Sequence, residues 1–291
     1  MLREERVANG HPLRFGVVSG ARKPYPELVQ RWKDAESLGF DTVWVTDHFI
    51  TGNEPADDAE PLLEAWTVIA GLAMATERIR FGVMVTGNTY RNPALLAKQA
   101  VTVDHISNGR LELGFGAGWW VREHEAYGYP MPGKGELVDR FREALTIIDG
   151  LQANDRFDFH GDYYWVTDAP FEPKPVQQPR IPMLVGASGP RMLRLTARFA
   201  DAWNTRGAPD VAAERNQLLD EKCKEVGRDP NEIRRSIWPY EHPWESLDNV
   251  KQVIESYREV GYTDFVFGWP PDEYNDVMVE FARDVLPGLR G

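Results

Sequence analysis

Asp47 and His48 stand side by side directly after the short apolar run Thr42–Thr46. An imidazole exchanges protons near neutral pH, and an adjacent carboxylate can orient it or raise its basicity. The same pair can equally be a buried structural contact that holds a loop. A second candidate is Gly186-Ala187-Ser188-Gly189-Pro190, which follows the run Met183–Gly186 and opens an amphipathic stretch. Small residues there let backbone N–H groups approach an anion, and a helix N-terminus adds positive potential. Ser188 adds a hydroxyl donor, and Arg191 falls in the first helical turn. An ordinary strand-to-helix turn would look the same. A P-loop is excluded, because the Gly-Lys-Ser/Thr ending is missing.

A third group is Gly114-Phe115-Gly116-Ala117-Gly118, followed by Trp119-Trp120. It lacks the last spaced glycine of a dinucleotide fingerprint, and the two indoles would obstruct a pyrophosphate. Small residues here suit a flat ring lying close to the backbone. Trp119, Trp120, Trp203, Trp238 and Trp269 all lie near the ends of apolar runs and could wall such a ring, although any one of them could be simple packing. Glu123, one helical turn beyond Trp119, could bring a carboxylate to the same pocket; the alternative is a solvated or salt-bridged glutamate. His105, His124, His160 and His242 show no paired-ligand spacing with His48, so no metal site is expected.

These residues need elements to position them. Short apolar runs alternate with amphipathic stretches along most of the chain. Strands are expected at Leu13–Val18, Thr42–Thr46, Ile79–Thr86, Leu111–Phe115, Met183–Gly186, Ala202–Asn204, Ile233–Trp238 and Asp264–Phe267. Each is followed by a helical pattern, which means a parallel sheet. Eight such units fit a closed (β/α)8 barrel, with an open doubly wound sheet as the alternative. Between strands four and five lies extra chain. It holds a hairpin over Phe157–Val166 and a Pro-rich connection over Pro170–Pro182. In a parallel barrel the active site sits where the strands end. Polar, glycine and aromatic residues collect there, including Thr86-Gly87, Asn204-Thr205-Arg206, Pro239-Tyr240-Glu241-His242 and Gly268-Trp269. A loose tail is expected over residues 1–12, with one barrel domain over 13–291.

Bulk properties narrow the partners. The formal charge of −12 argues against nucleic acid, which needs clustered Lys and Arg. No run of 18 apolar residues suggests a membrane span. The single cysteine, Cys223, rules out an intrachain disulfide and fits a reducing cytoplasm. A small-molecule substrate is the expected partner.

Several motifs together carry a family resemblance. They are Val45-Thr46-Asp47-His48-Phe49, Tyr90-Arg91-Asn92-Pro93, Asp104-His105-Ile106-Ser107-Asn108-Gly109-Arg110, Gly116-Ala117-Gly118-Trp119, Ala126-Tyr127-Gly128, the Gly186–Pro190 turn and Ala200-Asp201-Ala202-Trp203-Asn204. The sequence resembles the luciferase-like monooxygenase superfamily, in its branch of oxidoreductases that depend on the deazaflavin coenzyme F420. The resemblance implies a (β/α)8 TIM barrel with an insertion, often a homodimer. It implies that Asp47 and His48 meet the deazaflavin ring. It places Thr86 and Gly87 at a strand-three bulge, commonly with a non-prolyl cis peptide behind the ring. It assigns Ala117 and Gly118 to the cofactor, and Ser188, Gly189, Arg191 and Met192 to its phosphate-bearing tail. One departure stands out: where the sugar-phosphate dehydrogenases of this branch carry a catalytic Glu, this chain has Trp119.

Three functions follow as expectations. The first is hydride transfer between F420 and a small organic substrate, with His48 as the catalytic group and Trp119, Glu123, Trp203, Trp238 and Trp269 around the substrate. The second is an FMN-dependent monooxygenase fed by a separate reductase. The third is a deazaflavin-binding protein without turnover.

Overall fold

The computed structural model of the chain describes residues 10–54, 60–239 and 242–290. Strand β1 (Arg14–Val18) is buried at all five positions, as a parallel strand covered on both faces must be. The same holds for β2 (Thr42–Val45), and largely for β3 (Arg80–Val83), β4 (Leu111–Gly116), β5 (Met183–Gly186), β6 (Ala202–Thr205), β7 (Arg234–Ile237) and β8 (Asp264–Gly268). Each pairs in parallel with the next. The circuit closes between β8 and β1, in a register running from Arg14↔Asp264 to Val18↔Gly268. The sheet is therefore a closed eight-stranded barrel, and the open-sheet alternative falls.

Helices cover the outside because their apolar residues recur on one face. In α1 (Tyr25–Ser37) the buried positions are Leu28, Trp32 and Ala35, at helical spacing. Outward-facing strand residues such as Phe15, Val43, Phe81 and Phe265 pack against this layer. Inward-facing residues form a second cluster of Val18, Trp44, Met84, Leu184, Ala202 and Val266, against which Val85 and Trp238 pack. The Trp44 indole occupies the barrel interior at the expense of its neighbours' side chains. A Cβ at Gly82 would lie 2.7 Å from Trp44 Cζ3, and one at Gly114 would lie 1.9 Å from Val83 O.

Ion pairs close the N-terminal end of the barrel. Glu112 Oε1 accepts from Arg14 Nη2 at 2.8 Å and from Arg80 Nε at 2.7 Å. Burial raises the pKa of Glu112, but the surrounding guanidinium groups outweigh it and hold the carboxyl at about 2. Asp264 nearby fares differently. Burial pushes it up to about 6, and Arg14, 3.8 Å away, offsets only part of this.

Extra chain between β4 and β5 forms α4 (Val121–Tyr127), α5 (Lys134–Ala153) and a hairpin of Arg156–His160 with Trp165–Pro170. The hairpin's second arm runs four residues beyond the expected end. Its turn is fixed from below, where the buried Glu143 accepts the amides of Asp162, Tyr163 and Tyr164 at 2.9–3.1 Å. The Pro-rich return is tied to Asp104 in helix α3 (Pro93–Ile106), which accepts Val176 N at 2.8 Å and Gln177 Nε2 at 2.7 Å. Asp104 belongs to the motif ending at Arg110, whose guanidinium caps the helix α2 (Ala65–Ala73) at Ala73 O, 2.5 Å away. That motif holds the fold together at a distance from the barrel mouth. Most of the expected N-terminal tail lies outside the described residues, and within them His11 Nε2 meets Asn231 O at 2.8 Å.

Candidate functional site at the barrel mouth

A cavity of about 630 Å³ opens where the strands end, within the size range of small-molecule sites. Its floor is apolar, formed by Met84 and Val85 on top of the interior cluster. The Met84–Val85 peptide is cis, as the resemblance implies. Just beyond it, Thr86–Gly87 pairs with Phe115–Gly116 of β4. Close packing at this point requires glycine: a Cβ on Gly116 or Gly186 would come within 2.7–2.9 Å of Val85 Cγ2.

Asp47 secures this segment. Its Oδ2 accepts Gly87 N at 2.9 Å and Arg91 Nη1 at 2.6 Å, and its Oδ1 accepts Arg91 Nη2 at 2.9 Å. Arg91 also reaches Glu64. The carboxylate is thus matched by a bidentate guanidinium and a backbone amide. Trp66 Nε1 donates to Thr86 Oγ1 at 3.1 Å, so the Thr86 hydroxyl is held from behind. Asp47 lines the cavity, but its oxygens serve the strand-three turn.

His48 turns its Nδ1 edge onto Glu123 Oε2 at 3.1 Å. Glu123 is fully buried. Its Oε1 accepts the amides of Phe49 and, at 3.1 Å, Ile50. Its Oε2 also accepts the Tyr90 hydroxyl. Burial raises the pKa of Glu123, but bonds from His48, Tyr90 and the Phe49 amide outweigh it and leave the group below the usual carboxylate range. Burial, and then the bond to Glu123, pushes the Tyr90 phenol far up, so it stays a donor. Glu123 is therefore neither a solvated glutamate nor a wall of the substrate pocket. It lies behind His48, because α4 begins immediately after the Trp119-Trp120 turn and its first turn packs against the loop His48–Ile50 that follows β2.

The two indoles form one plate. Trp119 and Trp120 stack with ring centres 5.4 Å apart and 5° between planes. His48 meets Trp120 edge-on at 5.0 Å, and Trp119 is 68% exposed at the rim. Gly118, at φ +92°, lets the chain turn here, and a Cβ would meet Thr89 Oγ1 at 2.8 Å.

After the neighbouring strand β5, Ser188, Gly189 and Met192 line the cavity at the start of α6 (Pro190–Phe199). The first-turn amides of a helix have no acceptor within it, and here no side chain caps them. The space over Gly189 is open, with nothing within 4 Å of where a Cβ would stand. Two cations join this part of the cavity: Arg206, one of the residues expected at the strand ends, and Arg215, which the sequence did not mark. Arg206 lies over the Trp238 ring at 4.3 Å, and Arg215 donates to Thr205 Oγ1 at 3.2 Å. Both line the cavity. Arg206 directly follows a strand end, a signal within reach of the sequence. Arg215 sits inside α7 (Pro209–Val226), where nothing marks it out.

Of the expected residues, Asp47, His48, Thr86, Gly87, Ala117, Gly118, Trp119, Ser188, Gly189, Met192 and Trp238 do meet around one cavity. Beside Glu123, three others are corrected. Arg191 points away to Asp139 Oδ1, at 2.7 Å, because α5 offers a carboxylate there. Trp203 is fully buried between barrel and helices and donates to Ala187 O at 2.9 Å. Trp269 packs beneath Arg31, whose guanidinium lies 5.0 Å from its ring centre. Strand alternation sends both indoles away from the mouth. Tyr240 and Glu241 lie outside the described residues.

A family model for luciferase-like monooxygenases matches residues 10–262. An F420-dependent glucose-6-phosphate dehydrogenase of Intrasporangium calvum is 30% identical, over 96% of this chain and 99% of its own. The enzyme of the same name from Amycolatopsis mediterranei is 34% identical over the same shares. Among solved structures, an F420-dependent secondary alcohol dehydrogenase bound to an F420–acetone adduct superposes with a TM-score of 0.85. It is 21% identical, and the match covers 97% of this chain and all of that one. The F420-dependent tetrahydromethanopterin reductase of Methanopyrus kandleri gives 0.81 at 19% identity, over 96% of this chain and all of that one.

Proposed function

The chain belongs to the luciferase-like monooxygenase family, and from that premise we propose that it is an F420-dependent oxidoreductase acting on a small organic substrate. One observation carries the cofactor assignment beyond family membership. The mouth joins an apolar, glycine-lined floor to an uncapped helix N-terminus flanked by Arg206 and Arg215. A flat ring fits the first part and an anionic tail the second.

When bound, the deazaflavin supplies the hydride chemistry. The chain's residues do the rest. Val85, Gly116 and Ala117 would seat the ring, with Asp47 and Arg91 fixing the turn that carries Thr86 and Gly87. Ser188, the amides of Gly189 and Met192, and the two arginines would hold the tail. His48, whose ring lines the cavity, would give or take the proton that accompanies hydride transfer. The Trp119–Trp120 plate would keep water from the reacting atoms.

Glucose 6-phosphate is the substrate named for the two relatives, and it is not carried over. Trp119 stands where that branch has its catalytic Glu, and Glu123 does not replace it, being buried behind His48. An exposed indole plate favours an apolar or ring-bearing substrate. Regeneration of the cofactor by a separate reductase and a homodimeric assembly rest on the family pattern alone. Among the described residues, no helix is long and apolar enough to cross a membrane.

Titration of the purified protein with oxidised F420, and in parallel with FMN, tests the assignment. Micromolar or tighter F420 binding with weak FMN binding is the expected result. The reverse preference would make the protein a flavin monooxygenase. F420 binding with no hydride exchange over a broad panel of alcohols and carbonyl compounds would make it a binding protein.

A further inference from the structure

We propose that Glu123 is the positioning residue that fixes His48 in the tautomer protonated on Nδ1, leaving the Nε2 lone pair to the cavity. The inference rests on reading His48 as the proton-exchanging group, and it concerns which nitrogen is available to do so.

The argument is one of donor and acceptor counts. An ionised carboxylate only accepts. Glu123 is fully buried, so water cannot take the place of a protein partner. Four groups converge on it. Two are the backbone amides of Phe49 and Ile50, both on Oε1. A backbone N–H only donates, so this end of the carboxylate cannot be reversed. At Oε2 the Tyr90 hydroxyl donates, and the remaining position faces His48 Nδ1 at 3.1 Å. A nitrogen held there is stable only with its proton on. In the neutral ring, Nε2 then carries the lone pair. Other titratable or charged groups near this cluster are Asp47 and Arg91, paired with each other, and His124, whose ring stacks on Tyr90 at 4.8 Å. His124 is itself tied at both nitrogens, to Trp120 O and Thr89 Oγ1 at 2.7 Å each. None of these presents an acceptor to His48 Nδ1 in place of Glu123.

The consequence is specific to the isosteric variant Glu123→Gln. Its amide oxygen must face the Phe49 and Ile50 amides, since the NH2 group would meet donors there. The NH2 group then faces Tyr90 and His48. A phenol can turn its hydroxyl and accept. An imidazole can accept only by moving its proton to Nε2, so the tautomer inverts and the cavity loses its base.

Long-range ¹⁵N–¹H NMR of histidine-labelled protein reads the tautomer directly. The measurement is made at a pH where the ¹⁵N shifts show a neutral ring, with His48 assigned by its loss in His48→Gln. The expected result is Nδ1–H in the native protein and Nε2–H in Glu123→Gln. Tyr90→Phe, which removes a donor but leaves the carboxylate, should keep Nδ1–H. An Nε2–H native ring, or an unchanged ring in a folded Glu123→Gln, overturns the proposal. Should Glu123→Gln not fold, the native and Tyr90→Phe spectra decide. The cofactor reading fails separately, by absence of F420 binding to the native protein, and that result would leave the tautomer untouched.

Discussion

At the scale of single residues, the mouth divides into side chains that touch the cavity and side chains that hold them. His48 is the first kind. His48→Ala should bind F420 nearly as the native protein does and lose about 100-fold or more in turnover, the usual share of a positioned proton-exchanging group. Turnover with the substrate found by panel screening, compared with F420 affinity, checks this, and unimpaired turnover would sink the assignment. Arg91 is the second kind. Its guanidinium and the Asp47 carboxylate are both nearly excluded from solvent and share two bonds. Arg91→Met leaves Asp47 as an unpaired buried charge, which costs on the order of 3–5 kcal/mol. Urea denaturation should show that loss, and adding Asp47→Asn should recover part of it. If Arg91→Met unfolds like the native protein, the clamp is not structural.

At the scale of elements, the start of α6 and the strand-four turn make different demands. The α6 turn offers free amides, and the nearby cations that line the cavity are Arg206 and Arg215, not Arg191. Arg206→Met should therefore weaken F420 binding severalfold and reduce its dependence on salt, whereas Arg191→Met should do neither. Equal effects would return Arg191 to the tail site. In β4, a Cβ at Gly114 would lie 1.9 Å from a backbone oxygen, which cannot swing aside as a side chain could. Gly114→Ala should destabilise the barrel by about 1–3 kcal/mol or more, read as a fall in the denaturation midpoint.

At the scale of the whole molecule, the barrel's two ends have opposite tasks. The mouth keeps polar groups available, and the N-terminal end buries them in a charge network. Asp264 titrates in the folded protein at about 6, above the ordinary aspartate value. Its contribution to stability is therefore fully present below that ordinary value and is lost as pH rises through about 6. Glu112, at about 2, runs the other way: its contribution is present above the ordinary glutamate value and is lost only as pH falls toward about 2. Asp264→Asn should thus gain on the native protein as pH rises from 4 to 8, by at most about 3 kcal/mol. Thermal denaturation at the two pH values decides it, and a gain that does not grow with pH would mean that Asp264 ionises in the folded protein as readily as in the unfolded chain, with no upward shift.

Strand and helix periods were readable from the residues because burial on both faces gives continuous apolar runs and covering helices repeat every three or four positions. With eight such units, the closed barrel and the location of its mouth followed, and so did the gathering of Asp47, His48, Gly118, Ser188 and Trp238 there. Side-chain direction did not follow. Trp203 and Trp269 stand beside strand ends in the sequence, yet the two-residue alternation of a strand turns them into the packing. Glu123 and Tyr90 are 33 positions apart, and no local pattern joins them. Only the closure of the barrel brings α4 against the loop after β2, where Glu123 meets both His48 and Tyr90. The sequence by itself determined the scaffold and the kinds of group at its mouth, since these depend on local periodicity. The tertiary structure decided which oxygen faces which nitrogen, since that depends on contacts between segments remote along the chain.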